Sequence, residues 1–260
     1  MYALLDSGDG KKLEQFGTVI LSRPAAQALW HPQHPELWKP TATFSRDNNM
    51  EWQVWGKLPD SWNIEVNGIK FKLKCTDFGH LGIFPEQAPQ WEWMQKRAKG
   101  ARILNLFAYS GGSSLACAAG EVTHVDAAKG MIHWAAENAK LNGVNHIRWI
   151  IEDARKFLKR ELRRNAQYDA IILDPPSFGR GKSKEVFKIE EDLPSLLDDC
   201  VTLLSHNARF ILLTSHTPGY TPIVLRQLLQ ERLKGGVEAG EMVLPGPFDL
   251  PSGAFARWTP

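Results

Sequence analysis

Residues Arg102 to Asp126, RILNLFAYSGGSSLACAAGEVTHVD, read as a strand, a glycine turn, a helix of small residues and a second strand that ends on an acid. Arg102 to Phe107 is an apolar run of strand length. Gly111 and Gly112 supply a turn free of Cβ hindrance, and Leu115 to Ala119 is narrow enough to pack closely on a sheet. Backbone at this turn can therefore approach a ligand. Asp126 closes the apolar strand Val122 to Val125, where a carboxylate can accept hydrogen bonds from both hydroxyls of a ribose. The stretch is a candidate cradle for an adenosine cofactor. It lacks the G-x-G-x-x-G spacing that seats a pyrophosphate on a helix N-terminus, which argues against a dinucleotide.

Beyond Asp126, helix patterns at 131–141, 155–164, 192–204 and 223–233 alternate with strand patterns at 146–151, 168–173 and 208–214. Such alternation predicts a Rossmann-like α/β fold with a doubly wound, mainly parallel sheet. The tail, 238–244 and 253–258 around PGPFDLPSG, adds an antiparallel hairpin at the sheet's edge. Residues 1–77 read instead as a small β-rich lobe, with strand candidates in Trp52 to Trp55 and in Ile64 to Leu73. Asn67-Gly68 marks a hairpin, because both central positions of a type I′ turn need positive φ. Residues 78–100 join this lobe to the large domain, 101–260, and end in a helix from Gln90 to Lys99. Trp30, Trp38, Trp52, Trp55 and Trp62 are assigned to the lobe's core rather than to stacking platforms for unpaired bases, since large aromatics usually fill a small lobe.

Composition narrows the function classes. With 43% hydrophobic residues among 260, the chain can bury a sizeable core. No apolar run reaches the ~18 residues of a membrane span, and MYALLDSGDGKK has no basic segment followed by an apolar one, which points to the cytoplasm. Cys75, Cys117 and Cys200 form no C-x-x-C pair, so neither a disulfide framework nor a metal site is expected. A net charge of +2 leaves any nucleic-acid contact to local clusters. Arg155 to Arg164, RKFLKRELRR, holds six basic residues and one acid, with Phe157, Leu158 and Leu162 as its buried stripe. An ordinary solvated helix is the favoured reading of that run over an RNA patch. Nothing in the sequence sets the oligomeric state.

Ligands in open α/β sheets lie at the carboxyl ends of the strands. Those ends are Asn105 to Gly111, Asp126, Glu152-Asp153, Asp174-Pro175-Pro176-Ser177-Phe178 and Thr214-Ser215-His216. Asp153 also suits the N-cap of the following helix. Asp174-Pro175-Pro176 is the most specific of these strings: consecutive prolines fix φ and remove donors where a strand ends, leaving carbonyls free to face a cleft. The loop Gly179 to Lys184, basic and glycine-flexible, is placed to clamp a phosphate backbone through Arg180 and Lys182. His216 is a candidate base or hydrogen-bonding group.

The string N-L-F-A-Y-S-G-G, Asn105 to Gly112, resembles motif I of class I S-adenosylmethionine-dependent methyltransferases, in the branch of the 23S ribosomal RNA cytosine-C5 enzymes. Asn105 stands where most of these have an acid. Gly82 to Gln87, GIFPEQ, is similar to a segment that precedes motif I and lies over the cofactor in that branch. The resemblance implies S-adenosylmethionine as cofactor, contacted by Phe84, Gln87, Asn105, Phe107, Ala108, Tyr109, Ser110, Gly111, Asp126, Ala127, Asp153, Ala154 and Asp174. D-P-P-S-F is similar to the family's D-P-P-[KS]-F and, more distantly, to the [DN]-P-P-[FYW] of amino-methylating enzymes. Asp174, Pro175, Pro176 and Phe178 are thus the expected catalytic residues, orienting an acceptor and stacking on its base. Two features depart from the branch. The first 75 residues show no sign of the RNA-binding PUA domain that those enzymes carry, and Ser215-His216-Thr217 stands where they have a string like S-C-S with the nucleophilic cysteine. Direct methyl transfer to RNA, without a cysteine adduct, is the resulting expectation. A protein side chain or small molecule as acceptor, or cofactor binding without catalysis, are the rivals.

Overall fold

Asp9-Gly10 and Asn67-Gly68 each place two consecutive residues at positive φ, and each closes a tight antiparallel hairpin. In a computed structural model that describes residues 1–46, 50–180 and 186–260, the first pair joins β1 (Tyr2–Gly8) to β2 (Lys11–Phe16). β3 (Val19–Pro24), β4 (Ala42–Ser45) and β5 (Glu51–Val54) complete a five-stranded sheet in chain order. The second pair joins β6 (Trp62–Val66) to β7 (Ile69–Leu73). The chain divides into two compact units, and these strands belong to the first, Met1–Ala88 with Val243–Ser252. Leu244 and Leu250 pack there in one cluster with Leu4, Ala25 and Ala28, which is why this tail segment groups with the β-rich unit and not with the sheet domain expected over 101–260.

Buried polar groups knit the first unit. Glu14, fully buried, takes both Arg23 Nε (2.7 Å) and Arg23 Nη2 (2.9 Å), with the Tyr2 hydroxyl at 3.1 Å and Lys12 Nζ at 3.2 Å. Burial opposes the charge of Glu14, but Arg23 and then Lys12 hold its carboxyl below the ordinary carboxylate range. The tryptophans divide. Trp30, Trp38, Trp52 and Trp62 each donate an indole N–H within the unit, to Ser7, Asp6, Thr76 and Phe16. Trp55, expected in the core, is 70% exposed.

The second unit, Pro89–Met242 with Gly253–Pro260, is the doubly wound one. α1 (Ala88–Ala98) leads to β8 (Arg102–Leu106), α2 (Gly112–Ala116), β9 (Glu121–Asp126), α3 (Lys129–Leu141), β10 (Arg148–Ile151), α4 (Ala154–Arg163) and β11 (Ala170–Leu173). Then follow β12 (Phe178–Arg180), β13 (Val186–Lys188), α5 (Ile189–Thr202), β14 (Phe210–Ser215), α6 (Pro222–Gln230), β15 (Gly236–Leu244) and β16 (Leu250–Thr259). The sheet order is β10-β9-β8-β11-β14-β16-β15, parallel as far as β14, with β16 antiparallel to it. The order reverses between β8 and β11, so the topological switch point lies there. β8, β11 and β14 are almost wholly buried apolar runs because helices cover both faces of a parallel sheet.

Of the loop expected over Gly179 to Lys184, Gly179 and Arg180 lie in β12, which pairs with β13 and sets Phe178 opposite Lys188, and residues 181–184 lie outside the described residues. Arg155 organises this ladder: Nη1 donates to Val186 O (2.8 Å) and Asp192 Oδ1 (2.9 Å). The basic helix α4 spends its charges internally, in pairs Arg155–Asp153, Lys159–Asp199, Arg160–Glu152 and Arg164–Glu161, which supports the solvated-helix reading. No helix among the described residues is long and apolar enough to cross a membrane.

Candidate active site

Strand register assembles the site. Val125, Leu106, Leu173 and Leu213 stand in one row across β9, β8, β11 and β14. The next residue of each strand, Asp126, Phe107, Asp174 and Thr214, therefore emerges at one edge of the sheet, around the switch point.

The turn after β8 takes an unusual path. Phe107 (φ 55°), Tyr109 (φ 51°) and Gly111 (φ 93°) are left-handed at alternate positions. For two aromatic residues this conformation costs on the order of 1–3 kcal/mol each and persists only where surroundings impose it. The surroundings are specific. The Ala108 N–H donates to Val125 O at 3.1 Å, the Tyr109 N–H to Asp126 Oδ2 at 3.0 Å, and Asn138 Nδ2 to Ser110 O at 2.9 Å. A Cβ on Gly111 would come within 3.1 Å of the Ala135 Cβ, so α3 packs directly on the turn.

Asp126 is built as an acceptor. Burial pushes its carboxyl above the ordinary range, while the N–H groups of Ala128 (2.8 Å) and Tyr109 pull it back. A carboxylate offers about four acceptor positions. The two that remain match the two hydroxyls of a ribose, with the exposed Ala127 alongside.

Asp153 caps α4, accepting from the Arg155 and Lys156 N–H groups, and also pairs with the Arg155 guanidinium at 3.0 Å. Its carboxylate thus fixes the helix start and Arg155 together, and Ala154 behind it is buried. Asn105 is 2% exposed, and its Nδ2 donates to Ser114 Oγ at 2.9 Å; Ser114 Oγ is in turn 2.9 Å from His124 Nδ1. Burial pushes the His124 imidazole down to about 3, so it is neutral. The Asn105 side chain, expected at the cofactor, belongs to a buried chain tying β8, α2 and β9. Sequence reading missed Ser114 and His124, because no short motif links them.

Asp174 and His216 meet across β11 and β14, with Asp174 Oδ1 at 3.5 Å from His216 Nδ1. Ser177 Oγ and Thr217 Oγ1 share a hydrogen bond of 2.8 Å, so the two loops run together. A Cβ on Gly253 would stand 2.9 Å from Ser215 O and 3.2 Å from His216 Cδ2, which makes this glycine of β16 a support that the sequence did not reveal. Pro175 is buried, Pro176 exposed, and Phe178 presents a ring that is 51% exposed. Phe187 of β13 packs against Phe107 as a tilted pair, centroids 5.2 Å apart, joining the hairpin to the β8 turn. Arg180 ends β12, and Lys182 lies outside the described residues. Phe84 and Gln87 belong to the first unit: Phe84 precedes the 3-10 turn Pro85–Gln87, its ring 5.7 Å from His80, and Gln87 is buried.

The chain matches the family model for S-adenosylmethionine-dependent methyltransferases over residues 13–212. A SAM-dependent methyltransferase from Agrobacterium tumefaciens is 40% identical, with a TM-score of 0.94 covering 100% of this chain and 90% of that one. A protein described as a methyltransferase and crystallised with SAH shares the fold, at 22% identity and a TM-score of 0.81, covering 99% of this chain and 75% of that one. The ribosomal RNA large subunit methyltransferase K/L of Hahella chejuensis is 36% identical over 148 residues, 55% of this chain and 20% of that protein. The chain thus spans about a fifth of the length of the first curated relatives it matches.

Proposed function

We propose that this chain, which belongs to the S-adenosylmethionine-dependent methyltransferase family, moves a methyl group onto a base of RNA. The observation that carries this reading is the convergence of Asp174, His216 and the exposed Phe178 beside the left-handed turn at the switch point. The matched relatives named for ribosomal RNA support the acceptor. S-adenosylmethionine is the cofactor, and when bound it supplies a methyl group already activated as a sulfonium. The protein's work is then alignment and electrostatics. In this reading Asp126 holds the ribose, Asp153 and Ala154 take the adenine end, and the backbone of Phe107 to Gly111 takes the amino-acid end. Asp174 and the Pro175 carbonyl orient the acceptor, Phe178 stacks on its base, and His216 steadies Asp174. Arg180 and Lys182 are assigned to the RNA backbone. A tritiated-methyl assay offering RNA, protein and small metabolites in parallel tests it: label is expected in RNA, and label confined to protein or metabolites rejects the acceptor.

Asp126→Ala is expected to weaken S-adenosylmethionine by about 1.5–3 kcal/mol for each ribose bond lost. Calorimetry that finds unchanged affinity, or a preference for NAD, removes Asp126 from the site.

Transfer does not pass through a thiol. Burial pushes Cys75 up to about 11, Cys117 up to about 12 and Cys200 higher still, so none is a thiolate at neutral pH. Cys75→Ser, Cys117→Ala and Cys200→Ala are each expected to keep turnover, and no SDS-resistant adduct should form with RNA containing 5-fluorocytosine. A cysteine-dependent adduct contradicts this.

A further inference from the structure

The first unit carries a cleft of about 500 Å³ lined by Lys11, Trp38, Lys39, Pro40, Thr43 and Trp55. Its floor is sheet. Lys11 opens β2, and Thr43 of β4 lies beside Ser22 of β3 in the parallel register. Trp55 follows β5 on fixed backbone: its N–H donates to Thr41 O at 2.9 Å, and the Gly56 N–H to the same oxygen at 3.1 Å. Trp38 is anchored from behind. Its Nε1 donates to Asp6 Oδ2 at 2.9 Å, and Asp6 also accepts from the backbone N–H groups of Ser7, Gln33 and His34, so the loop that leads into Trp38 and Lys39 is pinned.

The chemistry of this cleft is selective. It presents two indoles and two ammonium groups, and no carboxylate is among its lining residues as described. The indoles alone would suit a protein partner, but two lysines with no carboxylate beside them suit a polyanion better, since lysine is depleted from protein interfaces. An anionic membrane calls for clusters of roughly four to eight basic residues, more than the cleft holds. Unpaired nucleotides offer what it lacks: π faces for the indoles and phosphates for the lysines. A duplex hides those faces.

We propose that this cleft binds an unpaired stretch of the RNA substrate, with Trp55 and Trp38 stacking on bases and Lys11 and Lys39 facing phosphates. The proposal rests on the RNA reading above and extends it to a second contact, made by first-unit residues that have no part in methyl transfer.

Fluorescence anisotropy of a labelled single-stranded RNA of about a dozen nucleotides, a length within single-strand site sizes, tests it on the full chain at several salt concentrations. The same sequence as a duplex serves as the comparison. Single strands are expected to bind more tightly than the duplex. Trp55→Ala should weaken single-strand binding about five- to a hundredfold, and Trp55→Phe should restore most of it, since one stacked base is lost and regained. Lys11→Gln and Lys39→Gln should each lower the slope of log affinity against log salt by about 0.7. S-adenosylmethionine affinity and the urea midpoint should both stay at the wild-type values in all four variants, the midpoint showing that the substituted unit folds. Equal binding of duplex and single strand, or wild-type affinity and slope in Trp55→Ala and Lys39→Gln, overturns the cleft as an RNA site. If the tritiated-methyl assay still labels RNA, the proposed function survives that failure; if it does not, the acceptor reading falls on its own.

Discussion

Asp174→Ala is expected to lower turnover by roughly a hundred- to a thousandfold while S-adenosylmethionine affinity changes little. Asp174 stands one residue beyond the row shared by Leu106 and Leu173, at the switch point, and Pro175 locks the backbone that follows it. Its carboxylate is held near His216 Nδ1 and remains 30% exposed, so it can reach an acceptor without being buried in the protein. Removing it takes away both the orientation of the acceptor and a fixed negative charge, which act together in the transition state. Asp174→Asn keeps the shape and one acceptor oxygen, and should fall between wild type and alanine. Steady-state methyl transfer with calorimetry on the same preparations separates the effects. Normal turnover in Asp174→Ala would reduce Asp-Pro-Pro-Ser-Phe to a structural turn.

Arg23→Met is expected to cost about 3–5 kcal/mol of stability, the range for breaking a buried ion pair from one side. The substitution strands Glu14, whose side chain has no exposure, with only Lys12 and the Tyr2 hydroxyl as partners. It also removes the Arg23 Nη1 bond to Gly79 O at 3.1 Å. Glu14→Leu in the same chain should recover part of the loss, because an apolar pair can replace a buried ionic one. The pH dependence has a definite sign. The Glu14 carboxyl is held low in the folded chain, so its contribution is full above the unfolded value of about 4.3 and disappears as pH falls through the folded value. The gap between wild type and Arg23→Met should therefore narrow on acidification below about pH 4. Urea midpoints measured across pH check both claims, and a gap under about 1 kcal/mol at neutral pH would show that Arg23 is not structural.

The second unit is legible because a parallel sheet writes itself as continuous apolar runs, and because the residue after each run falls at the edge where ligands lie in open α/β sheets. Asp126, Asp174 and His216 are singled out that way. Asn105 differs from them: Leu104, Asn105 and Leu106 are all buried, so a polar side chain in that strand must find an internal partner, here Ser114. Asp153 was read with two roles, and geometry shows the cap, since the helix start lies in its own sequence while Arg155 turns back onto it. In the first unit, Asp9-Gly10 carried the same turn signal as Asn67-Gly68. The β1–β2 hairpin is hidden from pattern reading because Leu13 and Glu14 are both buried and a bulge falls between Leu4 and Asp6, which breaks the alternation by which strands are recognised. Trp55 was placed inside by the ordinary habit of tryptophan, and no local pattern distinguishes an aromatic at the end of an exposed strand from one in a core.

A crystal structure of the chain with S-adenosylhomocysteine is the most direct test of the account. It should show the ribose hydroxyls on the free acceptor positions of Asp126, the amino-acid end on the Phe107–Gly111 backbone, and the sulfur on the side of Asp174. A ligand bound elsewhere, or a ribose that does not touch Asp126, would contradict it.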